Sequence, residues 1–186
     1  MRFGNQPPNG AVAYGPGVPP VAAGHAVVAV VIEWRGKIAL LKRRRGNNHD
    51  SGLWHCVTGY LEPGASPKEQ ALDELLEETG LDVSQLLDLR AGPALIIDDR
   101  RGNPWLVHTF TALTSERRLE LDWEHEACRW TAPGKVRRFA NRVAWLDDVL
   151  QATGFLPAAD AARILHPHED YRYGPEVKLV PRVLPL

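Results

Sequence analysis

The sequence predicts a mixed α/β domain with more strands than helices. Three observations carry this prediction: a Val- and Ile-rich run between His25 and Glu33, one strongly capped helix opening at Ser66, and further strand-length apolar runs separated by Gly-, Pro-, Asn- and Asp-bearing turns. At 186 residues the chain has the length of one domain with appended arms.

Residues 1–24 hold ten of the chain's 16 Gly and 15 Pro residues. Such a segment forms neither a helix nor a central strand, and it is expected to be an arm that packs on its own domain or on a neighbouring subunit. His25 to Glu33 reads as a buried strand and Gly36 to Lys42 as its hairpin partner, with the turn near Trp34 to Gly36. Leu53 to Val57 is a short strand, followed by a loop from Thr58 to Ala65. Ser66 then caps a helix, with Pro67 at its first position, Glu69 completing a capping box and Gly80 closing it.

Strands are expected at Leu86 to Ile97, Trp105 to Leu113 and Ala127 to Thr131, with turns at Asp98 to Asn103 and Asp122 to Glu126. A second helix is expected from Asn141 to Thr153, turning Val143, Leu146, Val149 and Leu150 inward. A short helix at Ala158 to Leu165 and an extended tail from His166 to Leu186 complete the order. The resulting division is a 1–24 arm, a 25–153 domain and a 154–186 tail.

Twenty-two Lys and Arg against 23 Asp and Glu leave a formal charge of -1. That balance argues against a broad basic face for non-specific nucleic-acid or anionic-lipid binding, so neither nucleic acid nor a membrane is the expected partner. The longest apolar run near the start, Ala26 to Ile32, has strand length, and neither a membrane span nor a signal peptide is indicated. Cys56 and Cys128 are too few for a disulfide framework and read as buried reduced thiols of a cytoplasmic protein, with a single bridge between them left open.

The charge is segregated. Between Pro67 and Thr79 five acids face one lysine, while Lys42 to Arg45 is four bases in a row. At about 100° per residue Leu72, Leu75, Leu76 and Thr79 share one helix face, and Gln70, Glu74, Glu77 and Glu78 share the opposite one. Like charges at i, i+4, as in Asp73 with Glu77 and Glu74 with Glu78, cost about 0.2–0.5 kcal/mol each. Glu77 and Glu78 also sit at the negative end of the helix dipole. A solvated acidic face is the ordinary explanation, but these glutamates lack nearby Lys or Arg partners, and a hard divalent cation would relieve the repulsion.

Gly59 to Leu81, GYLEPGASPKEQALDELLEETGL, resembles the signature box of the Nudix hydrolases at Gly59, Glu74, Leu75, Glu77, Glu78, Gly80 and Leu81. The resemblance implies a Nudix-type α/β/α sandwich around a mixed sheet, with extended terminal arms. It also implies Mg²⁺ or Mn²⁺ held by Glu74, Glu77 and Glu78, with the Gly59 carbonyl as a further ligand. Two positions depart from the family pattern: Ala65 stands where a glutamate is usual and Asp73 where an arginine is usual.

Leu53 to Gly59, Trp123 to Trp130 (WEHEACRW) and Ala140 to Ala144 (ANRVA) are similar to bacterial nucleoside and dihydroneopterin triphosphate pyrophosphohydrolases of the family. By that likeness Glu124 is a further metal ligand or general base, with Glu126 as its competitor. Arg43 and Arg44 are then the phosphate-binding candidates and Trp54 a candidate for stacking on a base, while Phe110 and His108 read as structural. The implied activity is metal-dependent hydrolysis of a nucleoside diphosphate linked to another moiety, above all a nucleoside triphosphate. The alternatives are a Nudix-like binding or regulatory module, favoured by Ala65 and Asp73, and an enzyme like isopentenyl diphosphate isomerase. The isomerase cysteine precedes the box glycine, where this chain has Thr58, and Cys56 lies two residues earlier. A homodimer with the arms as contacts is the expected assembly.

Overall fold

A computed structural model describes residues 11–12, 21–22, 24–46, 50–99, 101–157 and 177–179. Strands β1 (Ala11–Val12) and β2 (Val21–Ala22) pair with each other in a small separate sheet. The main sheet comprises β3 (Ala26–Trp34), β4 (Lys37–Arg43), β5 (Trp54–His55), β6 (Val57–Tyr60), β7 (Leu86–Ala91), β8 (Ala94–Asp98), β9 (Pro104–Thr114), β10 (His125–Thr131) and β11 (Val177–Leu179). Helix α1 spans Pro67–Thr79 and α2 spans Leu146–Ala152.

The apolar run of β3 is explained by its position. It runs parallel to β9 on one side and antiparallel to β4 and β6 on the other, and a strand covered on both faces needs no polar alternation. Val28, Val30 and Ile32 face α1 through Ala71 and Leu75, with Phe110 and Ala112 beside them. Ala29 and Val31 face the opposite way, towards Leu146, Val149 and Leu150 of α2. The sheet is therefore sandwiched between two helical layers, as the family resemblance implied.

The β3–β4 hairpin turns on Arg35 and Gly36, both at positive φ (49° and 72°), the two-residue geometry whose twist suits a hairpin. Only Glu33 and Trp34 of β3 then pair with β4. Beyond them the sheet forks: β6 continues along β3, while β5 pairs with Leu41 and Lys42 of β4. The short segment 54–60 bridges that fork, and it carries Gly59.

Several elements differ from the sequence expectation. The strand expected over Leu86 to Ile97 is two, broken at Gly92 and Pro93, where Gly92 N–H still donates to Thr109. The loop expected to open at Thr58 opens after Tyr60, because Thr58 and Gly59 pair with Ala29 and Val28. The helix expected from Asn141 begins at Leu146, since Val143 N–H donates to Trp54 O and Arg142 is clamped on Asp147, which keeps 141–145 irregular. Short 3-10 turns at Val83–Gln85 and Pro133–Arg138 were not anticipated. Both cysteines are free; Cys56 is buried, but Cys128 is half-exposed. The expected helix at 158–165 and most of both arms lie outside the described residues. Of the tail, Val177–Leu179 lies parallel to β8. Among the described residues no helix is long and apolar enough to cross a membrane.

Candidate active site

Helix α1 opens as anticipated. Ser66 Oγ accepts from the Glu69 N–H (3.2 Å), the Glu69 carboxylate accepts from the Ser66 N–H (2.9 Å), and Gly80 closes the helix in the left-handed conformation. The face it buries is rotated from the expected one. Leu76 is 51% exposed, whereas Glu78 is 5% exposed and lies with Ala71, Leu75 and Thr79 against the sheet. Glu78 reaches the sheet at β6, where it takes a backbone hydrogen bond from Thr58.

Burial pushes the Glu78 carboxyl well above the usual carboxylate range, and the neighbouring Glu74 adds to it; Arg43 and a backbone hydrogen bond from Thr58 oppose the shift. Its Oε2 is buried with no hydrogen-bond partner among the described residues. Glu74 is half-buried and pushed up to about 7, chiefly by desolvation, with Glu77, Glu124 and Asp73 contributing like charge. Gln70 holds it in place by donating from Nε2 to Glu74 Oε1 (3.0 Å), while its own Oε1 accepts from Glu62 N–H (3.0 Å). Gly59 lies beneath this carboxylate so closely that a Cβ would overlap it, which accounts for glycine at that position.

Two strands away, β10 carries a bulge: His125 lies opposite Arg43 and Ala127 opposite Lys42, so Glu126 is the extra residue. Strict alternation along β10 would put Glu126 on the same face as Cys128 and Trp130, which pack on the α1 side. The bulge exchanges the two residues. Glu126 instead pairs with Lys42 (2.5 Å), while His125 turns towards α1. Glu124, just before it, accepts from Arg43 Nη1 (3.0 Å), and its backbone carbonyl accepts from Arg44 N–H (2.7 Å). Glu124 thus lies beside Arg43 and Glu74, whereas Glu126 is turned to Lys42.

The structure therefore brings Glu74, Glu78, Glu124, Arg43 and Gly59 to one side of the sheet. Glu77 is exposed on the outer surface of α1, and Arg44 is exposed at the strand end. Trp54 does not join them; it packs edge-on against Phe139 (5.2 Å) in the layer beneath α2. Phe110 is core, as expected, and His108 is half-buried with Nε2 unpartnered and its pKa lowered to about 4 by burial.

Sequence reasoning missed a buried pair of imidazoles. His55 reaches across β4 to His125, with the two Nε2 atoms 3.1 Å apart. His55 Nδ1 lies 2.5 Å from Cys56 O and His125 Nδ1 lies 2.6 Å from Asp122 Oδ1. His125 Nε2 is 3.9 Å from Glu78 Oε2. A histidine next to Glu124 was the available signal; nothing in strand alternation says that a bulge turns it inward.

This loop and helix, with a carboxylate-bearing helix set over a forked mixed sheet, matches a known family over most of the chain. The matching family is the NUDIX domain, over residues 23–152. The chain belongs to this family. An octanoyltransferase from Myxococcus xanthus is 38% identical over 111 residues, spanning 56% of this chain and 29% of that protein. The CTP pyrophosphohydrolase of Escherichia coli is 28% identical over 114 residues, spanning 61% of this chain and 79% of that protein. The solved structure of the E. coli dihydroneopterin triphosphate pyrophosphohydrolase superposes with a TM-score of 0.58 at 21% identity, covering 70% of this chain and 96% of that one. The chain thus spans most of one curated relative and under a third of the other.

Nudix hydrolases generally use divalent metal ions. The donor set here is hard oxygen, as Mg²⁺ or Mn²⁺ prefer. A carboxylate oxygen buried without a partner and a neighbour held at about 7 are what a cation would relieve. Among the described residues no three His, Cys, Asp or Glu groups are gathered in ligating geometry as they stand.

Proposed function

We propose that the chain is a metal-dependent Nudix pyrophosphohydrolase acting on a nucleoside diphosphate linked to a further group, above all a nucleoside triphosphate. The observation that carries the reading is the unpartnered buried oxygen of Glu78 beside Glu74. Glu74, Glu77, Glu78 and the Gly59 carbonyl would hold Mg²⁺ or Mn²⁺, which when bound neutralises phosphate oxygens and acidifies a water. The Glu124 carboxylate, or Glu74 where metal does not saturate it, would take the proton of the water attacking phosphorus in line. Arg43, which gives one Nη1 hydrogen to Glu124, has others left to bind the departing diphosphate bidentately, and Arg44 adds charge at the rim.

Cys56 does not favour the isomerase alternative. It is buried in the layer beneath α2, and desolvation pushes its thiol above the usual range. We further read residues 25–153 as the catalytic domain, the 1–24 and 154–186 arms as dimer contacts, and the protein as cytoplasmic, in keeping with its free thiols.

Pyrophosphate release from a panel of nucleoside triphosphates with Mg²⁺ or Mn²⁺ tests this. Turnover is expected for the wild type, and Glu78→Gln should lose more than ~100-fold, beyond what removing a merely orienting partner costs. Nucleotide binding without turnover on any substrate would make the chain a binding module instead.

A further inference from the structure

We propose that Tyr60 carries the base of the nucleotide substrate, which stacks on its ring while the phosphates lie at Gly59; this rests on the hydrolase reading above. Three rings come from three adjacent strands at one end of the sheet. His25 precedes β3, Trp105 lies near the start of β9, and Tyr60 closes β6. His25 and Trp105 stack face to face, with centroids 4.2 Å apart and planes 5° from parallel. Trp105 in turn meets Tyr60 at 5.9 Å and 51°. Tyr60 is the outer member of the series: it is 57% exposed, whereas His25 and Trp105 are half-buried.

Strand register sets this cluster beside the site but on the other face of the sheet. Gly59 lies opposite Val28, beneath the Glu74 carboxylate on the α1 side. Tyr60 lies opposite Val27, which packs in the α2 layer, and Trp105 lies opposite Ile97 of the same layer. Successive strand residues point to opposite faces, yet their Cα atoms are only about 3.8 Å apart. The two faces communicate here because β5 stays with β4 and β6 with β3, so among the described residues no strand pairs with the edge of β6 that faces β5. A nucleotide whose phosphates sit between Gly59 and Arg43 passes its base along that open edge to Tyr60. Trp54, across the same gap, is turned to Phe139 (5.2 Å) and leaves the base to Tyr60.

A braced ring suits this task. An aromatic side chain has only two torsions to lose on binding, and one already held by its neighbours loses less. Every base has a π face, so stacking sets the class of ligand, a nucleotide, without selecting one base. Truncating a stacking ring to alanine typically weakens binding by about 5–150-fold. Phenylalanine keeps the ring, whereas leucine keeps apolar bulk without one.

The experiment measures, by calorimetry with Mg²⁺, the Kd of a non-hydrolysable nucleoside triphosphate and that of inorganic tripolyphosphate, which has no base, together with melting temperatures. Tyr60→Ala and Tyr60→Leu are expected to weaken nucleotide binding by about tenfold or more, while tripolyphosphate binding and melting temperature stay those of the wild type. Tyr60→Phe should bind both ligands as the wild type does. On a hydrolysable nucleoside triphosphate, Tyr60→Ala should raise KM by a larger factor than it lowers kcat. The proposal is overturned if Tyr60→Ala binds the nucleotide as the wild type does, if it loses tripolyphosphate to the same extent, or if Tyr60→Phe is as impaired as Tyr60→Ala. A wild type that binds the nucleotide analogue but hydrolyses no nucleotide sinks the hydrolase reading alone, because the Kd comparison still decides the role of Tyr60. A wild type that binds no nucleotide sinks both.

Discussion

Glu74 is the side chain at which burial, charge and function meet. Its carboxyl titrates at about 7 in the fold against an ordinary 4.5. Folding thus favours its protonated form, so its stabilising contribution is present below about pH 4.5 and is lost as pH rises through about 7. In chelator, Glu74→Gln should gain stability relative to wild type as pH is raised across that window, and Mg²⁺ should erase the difference; melting curves at several pH values would check both. If the gap between the two proteins is flat with pH, Glu74 is not held out of its usual range. A second residue-level outcome follows from the close approach at Gly59. Gly59→Ala forces the Glu74 carboxylate aside, and metal-dependent turnover should fall while the circular dichroism spectrum stays that of the wild type.

Individual elements were legible in proportion to how local their causes are. Helix α1 was readable to the residue because Ser66, Pro67, Glu69 and Gly80 act through bonds within one turn of chain. Ser66→Ala should cost about 1 kcal/mol, seen as a shift in the denaturation midpoint without a change in slope. The inner face of the same helix was less readable: a wheel puts Leu76 inside and Glu78 outside, but in the fold Glu78 is buried and Leu76 exposed. Strand β10 shows the limit more sharply. Period-two alternation cannot reveal a one-residue bulge, yet that bulge decides which of Glu124, His125 and Glu126 meets the carboxylates. The acidic helix was legible from composition and spacing and the box from its resemblance to the family signature, whereas the histidine pair depends on two strands separated by β4 and has no local signature.

At the scale of the whole molecule, the near-neutral balance of 22 bases against 23 acids conceals two opposed poles brought together by the fold. Arg43 from the basic run lies against Glu124, and the acidic helix stands over the same end of the sheet. The N-terminal arm reaches this body at Val21, which is fully buried against Ala26, Ile96 and Leu106. Deleting residues 1–21 should lower the melting temperature, because removing a buried Val side chain forfeits about 1.5–3 kcal/mol of apolar burial. Light scattering on the same truncated protein would show whether the arm also holds a dimer together.

The parallel pairing of β3 with β9 has a consequence for how the chain is made. A ribosome finishes β3 at Trp34 but does not begin β9 until Pro104. Throughout that interval the nascent polypeptide carries an apolar, β-branched strand with one edge unpaired, the kind of surface that recruits other chains. Fragments that end before Thr114 should therefore be found in inclusion bodies or bound to chaperones, while the full-length translation product escapes that fate once its last central strand has emerged.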